Sequence, residues 1–204
     1  MIELVCEDEP EVVCLQELPV WGISRLDEWS SMKVFPVVAR PPRVPGRIGV
    51  RVTRMNQGFF RSAFVGQANA VLVSRSLVAE DRGYLRISDP GRERRVVQAV
   101  GVAGRYVIAN LHANHGAEVA QLETERSRTF AEAASRPGET LVLAGDFNRL
   151  DVRLDNYSAA STGVVDHILV SGASGSAPVV WPRERRELDG VVLSDHAPVD
   201  VTIG

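Results

Sequence analysis

The 204 residues are 45% hydrophobic and 24% charged with a formal net charge of -3, an ordinary globular composition, long enough for one well-filled core and short for two. No run approaches the roughly eighteen apolar residues of a transmembrane helix, and no basic-then-apolar leader opens the chain, so neither a membrane span nor a signal peptide is read. Cys6 and Cys14 are too few for a disulfide framework and lack metal-site spacing, so a single monomeric domain over residues 1–204 is expected, with reduced thiols, in the cytoplasm.

Ile2 to Asp8 reads as the last turns of an amphipathic helix, stopped ahead of Pro10 because the residue before a proline is pushed out of helical geometry. Val12 to Gln16 is a buried strand, and Glu17 follows directly on it. Trp21 to Trp29 predicts a short helix, Val34 to Ala39 a strand ended by Pro41 and Pro42, and Arg40 to Arg47 a loop rich in Pro and Arg. Ile48 to Thr53 and Ala68 to Ser74 alternate like the two strands of a hairpin, with a Gly- and Phe-containing turn region between them. Tyr84 to Ser88, Arg95 to Val102 and Tyr106 to Leu111 continue the strand pattern, with Asp89-Pro-Gly and Ala103-Gly as turns.

Ala117 to Ser135 carries Val119, Leu122, Phe130 and Ala133 at helical spacing and is stopped by Arg136-Pro-Gly, which makes it the one long helix. After Asn148 comes a polar loop. Val164 to Val170, Val179 to Trp181 and Val199 to Ile203 are then strands separated by Gly, Ser and Pro. Many short strands with few helices predict two packed sheets rather than a doubly wound parallel one.

Charge is unevenly spread. From Trp29 to Ala79 there is no Asp or Glu, while Lys33, Arg40, Arg43, Arg47, Arg51, Arg54, Arg61 and Arg75 all fall there. Clustered arginine suits phosphate, which its planar fork grips with paired hydrogen bonds. The same pattern also fits a solvated face in a protein that uses Arg in place of Lys.

Leu141-Val-Leu-Ala-Gly-Asp-Phe-Asn148 is a buried strand that stops abruptly and projects Asp146 and Asn148 one way and Phe147 the other. Asp146 could hold a cation or a water and Asn148 could donate its amide protons to an anion, or the pair could simply close the strand in an Asx-type turn. Other apolar runs end or break in the same manner: at Glu17, at Asn110 and His112, at Asp166 and His167, and at Asp195 and His196. Strand ends meeting on one rim would gather carboxylates, amides and imidazoles around a cleft, the equipment for a hard cation and general acid-base chemistry.

Leu15-Gln-Glu17, Asn110-Leu-His112, Gly145-Asp-Phe-Asn148, Val165-Asp-His-Ile168 and Ser194-Asp-His-Ala-Pro-Val199 stand in the order found in the endonuclease/exonuclease/phosphatase superfamily, which the chain resembles from about Val12 to Ile203. This deoxyribonuclease-like superfamily includes apurinic endonucleases, sphingomyelinases and inositol polyphosphate 5-phosphatases. The resemblance implies an α/β (α+β) four-layer sandwich, two mixed β-sheets face to face with helices outside, and cleavage of phosphate esters with Mg2+ or Mn2+.

By the same resemblance Glu17 matches the metal-binding carboxylate, and Asp195 matches the aspartate that shares that metal or a second one. His196 matches the catalytic imidazole and Asp166 the carboxylate that orients it. Asp146 and Asn148 match the pair that positions the attacking water and the phosphoryl oxygens, and His112 a histidine serving the leaving oxygen or the phosphate. His167, Asn69 and Arg75 read as structural. The superfamily pattern begins with a strand carrying an asparagine, often Trp-Asn, that helps hold the metal; this chain opens inside the helix that follows, so an N-terminally truncated domain is expected. The expected function is metal-dependent hydrolysis of a phosphoester, with nucleic acid the favoured substrate, and a small phosphoester, a phospholipid headgroup or a non-catalytic binding module as alternatives.

Overall fold

The computed structural model describes residues 1–55, 64–159 and 164–204. In chain order these form α1 (Ile2–Cys6), β1 (Val12–Leu18), a 3-10 turn (Val20–Arg25), α2 (Leu26–Ser30), β2 (Lys33–Arg40), α3 (Gly46–Met55), β3 (Gln67–Val73), β4 (Ala79–Arg86), β5 (Val96–Val102) and β6 (Tyr106–His112). Then follow α4 (Ala117–Ala134), β7 (Thr140–Asp146), β8 (Ser158–Ala159), β9 (Asp166–Ser171), β10 (Val179–Val180), a second 3-10 turn (Arg183–Arg186), β11 (Glu187–Leu188), β12 (Val191–Val192) and β13 (Val199–Asp200).

Two main sheets result, one of three strands in the order β1-β3-β2 and one of six in the order β4-β5-β6-β7-β9-β8. All their pairings are antiparallel except β6 with β7, whose parallel register needs a crossover, and α4 is that crossover. The strand alternation divides the core into layers. Val71 and Val73 of β3 pack with Val100 and Val102 of β5, Ile108 of β6 and Val142 of β7, so these residues fill the space between the sheets. The opposite residues of the large sheet, Val97, Ala109, Leu111 and Leu143, pack with Ala120 and Ala131 of α4. The opposite residues of the small sheet, Ala70 and Leu72, pack with Leu26 of α2 and with Ile2 and Cys6 of α1. A mixed α/β architecture of two main sheets with helices packed against them therefore results, as the resemblance implies.

The helix α4 turns mainly small residues inward, with Phe130 packed partly buried beside them. Its buried positions are Ala120, Glu123, Thr124, Ser127 and Ala131, while Leu122 is exposed. Small side chains allow close approach to the sheet, and the buried hydroxyls of Thr124 and Ser127 donate to the carbonyls of Ala120 and Glu123 one turn back.

The hairpin expected over 48–74 is not formed. Residues 46–55 are helical, and β3 pairs instead with β1 and β2. Ile48, Val50 and Val52 do alternate, but the backbone N–H groups of Ile48 and Gly49 donate to Pro45 at 3.0 and 2.9 Å, so the proline opens a helix rather than a loop. Gly49 then lies against Trp21, whose ring would stand 3.2 Å from an added Cβ. The turn region expected after this segment includes residues 56–63 and, with Arg61, lies outside the described residues, as do residues 160–163 of the polar loop. Among the described residues no helix is long and apolar enough to cross a membrane, and Cys6 and Cys14 are free thiols. Burial pushes the Cys14 thiol up to about 12.

Candidate active site

Strand register assembles the site. His112 ends β6 directly opposite Asp146 at the end of β7, and Asp146 lies opposite Asp166 at the start of β9. Three adjacent strands thus present an imidazole and two carboxylates in one row. On β6, His112 lies two residues beyond Asn110, which reaches across to Leu15 on β1 and Ala70 on β3, so the row faces the space between the sheets.

Glu17 arrives from the other sheet. The pairing of β1 with β3 is broken between Leu15 and Leu18, and within this irregularity Glu17 has φ +56, a left-handed conformation costing a non-glycine residue about 1 to 3 kcal/mol. The distortion re-aims its carboxylate, which accepts a 2.8 Å hydrogen bond from Gln67 Nε2 and lies 3.9 Å from His112 Nε2. Its side chain is 53% exposed, so this carboxylate is open to solvent ligands.

His196 closes the row from the C-terminal loop. Its Nδ1 stands 2.8 Å from Asp166 Oδ2, and its side chain is 42% exposed. The Asp166 hydrogen bond, aided by the charges of Asp166, Asp146 and Asp195 and opposed by partial burial, raises the imidazole to about 9. Asp146 is buried, and burial pushes its carboxyl above the ordinary range, with the charge of Asp166 adding to the shift and a hydrogen bond from the Asn148 N–H opposing it.

Asn148 forms the Asx-type turn beside Asp146. Its backbone N–H donates 2.8 Å to Asp146 Oδ1, at φ +49, while its side-chain amide donates 2.7 Å to the carbonyl of Ala113 and reaches Asp146 Oδ2 at 3.4 Å. The amide therefore ties the β7 end to the β6 end, and both of its protons are directed inward. His167 points away: its Nε2 meets the carbonyl of Arg149 at 2.6 Å and its ring packs edge-on to Phe147, in the structural part expected of it. Asn69 is buried against Val96 and Arg75 pairs with Asp27.

Asp146, Asp166 and His196 each offer one ligand atom, and these atoms lie within 4.8 Å of one another. Two carboxylate oxygens and an imidazole nitrogen suit a divalent cation with a preference for oxygen. Glu17 is not one of this trio but approaches His112 Nε2 as Asp146 does, and Asp195 lies outside it as an exposed neighbour of His196.

Sequence reasoning missed the support beneath His112. Arg95, just ahead of β5 and almost wholly buried, places Nη1 2.8 Å from His112 Nδ1 and 3.3 Å from Gln67 Oε1, and Nη2 3.3 Å from Glu93. The available signal was that Arg95, last of the run Arg92-Glu-Arg-Arg95, runs directly into the apolar strand, where an arginine stays buried only when paired.

The profile of the endonuclease/exonuclease/phosphatase family matches residues 4–196. The chain belongs to that family. Its enzymes are generally hydrolases acting on phosphoesters, typically with a divalent metal. Solved structures share the family fold. A functionally unknown conserved protein from Enterococcus faecalis V583 is 14% identical with a TM-score of 0.70, over 100% of this chain and 90% of that one. A mannosyl-6-phosphatase from Bacteroides thetaiotaomicron VPI-5482 is 15% identical with a TM-score of 0.68, over 100% and 88%. TDP2 from Caenorhabditis elegans is 15% identical with a TM-score of 0.64, over 99% of this chain and 66% of that one. No curated protein sequence matches the chain.

Proposed function

We propose that this family member is a metal-dependent phosphodiesterase acting on nucleic acid. The observation that carries the reading is the row of His112, Asp146 and Asp166 across three strand ends, with His196 hydrogen-bonded to Asp166 at its open side. Mg2+ or Mn2+ would be held by Glu17 and Asp195 together with the carboxylates of the row, whose oxygen donors match a hard cation. When bound, the cation supplies charge neutralisation at the phosphoryl oxygens.

The chain's own groups supply the remainder of an in-line displacement. Asp166 fixes Nδ1 of His196 and stabilises its imidazolium, leaving Nε2 to exchange a proton with water. Held at about 9 by its carboxylate neighbours, this imidazole comes down when positive charge is placed among them, because the neighbours that raise it are then neutralised. Asp146, kept in place by Asn148, accepts a hydrogen bond from the attacking water, and His112 addresses the phosphoryl or leaving oxygen.

Nucleic acid is favoured by the segment from Trp29 to Ala79 without acid. Within it, Arg47 and Arg51 are exposed and lie one turn apart on α3, and Arg40 ends β2 opposite Gln67, the residue that holds Glu17. Lys and Arg contacts to phosphate supply most non-specific affinity for nucleic acid.

The test is hydrolysis of bis-p-nitrophenyl phosphate that appears with Mg2+ or Mn2+ and stops with chelator, followed by single-stranded DNA, abasic duplex, RNA and sphingomyelin side by side. Metal binding without turnover of any substrate makes the protein a binding module. Turnover confined to sphingomyelin or a small phosphoester overturns the nucleic-acid reading.

A further inference from the structure

We infer that Arg95 is a positioning residue that holds His112 in one tautomer, the neutral imidazole with its proton on Nε2. Arg95 Nη1 stands 2.8 Å from His112 Nδ1. A guanidinium carries only donors and keeps its charge, so the contact is a hydrogen bond only if Nδ1 presents its lone pair. The proton of the neutral ring is then on Nε2. That atom faces Asp146 Oδ2 at 3.4 Å and Glu17 Oε1 at 3.9 Å, two acceptors that a donor suits and a second lone pair would not.

The surroundings support this arrangement. His112 and Arg95 are each almost wholly buried, so water does not compete for Nδ1. Arg95 is in turn fixed by Gln67 Oε1 at 3.3 Å and Glu93 Oε2 at 3.3 Å, and its own N–H donates 3.0 Å to Ser88 Oγ. Gln67 is shared: its Oε1 accepts from Arg95 while its Nε2 donates to Glu17, so one amide sets the guanidinium and the carboxylate together. Burial and the Arg95 charge both hold the His112 imidazole well below its ordinary value, in the same direction as the geometry.

The consequence deepens the function proposed above and rests on it. A ring locked this way donates a hydrogen bond from Nε2 to a phosphoryl or leaving oxygen and takes no proton there. His196, whose Nδ1 faces a carboxylate instead of a guanidinium, is left as the proton-exchanging imidazole. The two histidines are thereby given different work by the charge of the group behind each.

The experiment is long-range proton-nitrogen correlation on the metal-free wild type with 15N-labelled histidine, at a pH where His112 is neutral. The expected result is an unprotonated Nδ1 and a protonated Nε2, with Arg95→Met giving a mixture of tautomers and Arg95→Lys, which keeps a cationic donor, restoring the single form. On bis-p-nitrophenyl phosphate, Arg95→Met should lower kcat about tenfold or more with KM little changed, and Arg95→Lys should recover part of the loss. A wild-type spectrum with the proton on Nδ1 overturns the assignment, whether or not Arg95→Met folds, and so does an Arg95→Met protein with unchanged tautomer and kcat. A wild type with the expected tautomer but no metal-dependent turnover keeps the Arg95 assignment and overturns the function proposed above.

Discussion

The side-chain amide of Asn110 donates a 3.0 Å hydrogen bond to the carbonyl of Leu15, across from the six-stranded sheet to the three-stranded one. The same amide donates 3.0 Å to Ala70, and its oxygen accepts 2.7 Å from Gln16. Asn110 is fully buried, so this polar staple fixes β1 against β6 two residues short of Glu17 and two residues short of His112. Asn110→Leu should therefore cost about 1 to 3 kcal/mol for each partner left unsatisfied. It should also lower activity by loosening Glu17 relative to the row. Denaturant unfolding and turnover together check this; unchanged stability would mean that the sheets do not depend on the staple.

Gly145 has φ +138, and a Cβ there would stand 2.0 Å from the carbonyl oxygen of Leu111. The obstacle is backbone of the neighbouring central strand, which no rotamer change relieves. Strain and overpacking should together make Gly145→Ala less stable by about 3 kcal/mol or more. A melting temperature equal to wild type would contradict the close approach of β6 and β7.

The rim was legible in the sequence because strands buried on both faces have few places for a charge, so Glu17, His112, Asp146 and Asp166 at the ends of apolar runs mark one edge of the sheets. Register then turned adjacency in the ladder into adjacency in space. Two things were not legible. The helix over 46–55 was hidden by Ile48, Val50 and Val52, which fit a period of two as well as a helical start at Pro45. Arg95 was hidden because it gains its meaning from groups distant in sequence: Gln67 on β3 and His112 on β6.

In chelator, His196 should titrate at about 9 instead of its ordinary 6.5. Because the folded value is the raised one, the His196–Asp166 interaction stabilises the fold fully below pH 6.5 and is lost as pH rises through about 9. The melting temperature of metal-free protein should fall across that window, by an amount reduced by solvent screening of the exposed ring. Asp166→Asn removes the main cause of the shift, so NMR titration should find His196 moved down toward its ordinary value and the pH dependence flattened. A His196 that titrates at 6.5 in the wild type would mean that the pair is not formed in solution.

Loss of the imidazole itself should affect chemistry far more than folding. His196 comes from a loop and its side chain is 42% exposed, so its removal leaves no cavity in the core. His196→Ala should lower kcat by about 100- to 10,000-fold with a small change in melting temperature. Undiminished metal-dependent turnover would remove His196 from the mechanism.

Glu17 allows charge to be separated from shape. Glutamine matches glutamate in volume and can adopt the same rotamer, and the φ of +56 is set by the break in pairing between Leu15 and Leu18, which the substitution leaves alone. Gln67 Nε2 can still donate to the remaining oxygen of the new amide, so the hydrogen bond at 2.8 Å need not be lost. What changes is one negative charge on a half-exposed oxygen ligand, and hard cations bind neutral oxygen more weakly than carboxylate. Glu17→Gln should therefore melt near wild type, bind Mn2+ about tenfold or more weakly by calorimetry, and recover part of its turnover at raised metal concentration. Wild-type metal affinity in this variant would show that the cation is held elsewhere, and Asp146→Asn would then be the variant expected to lose it.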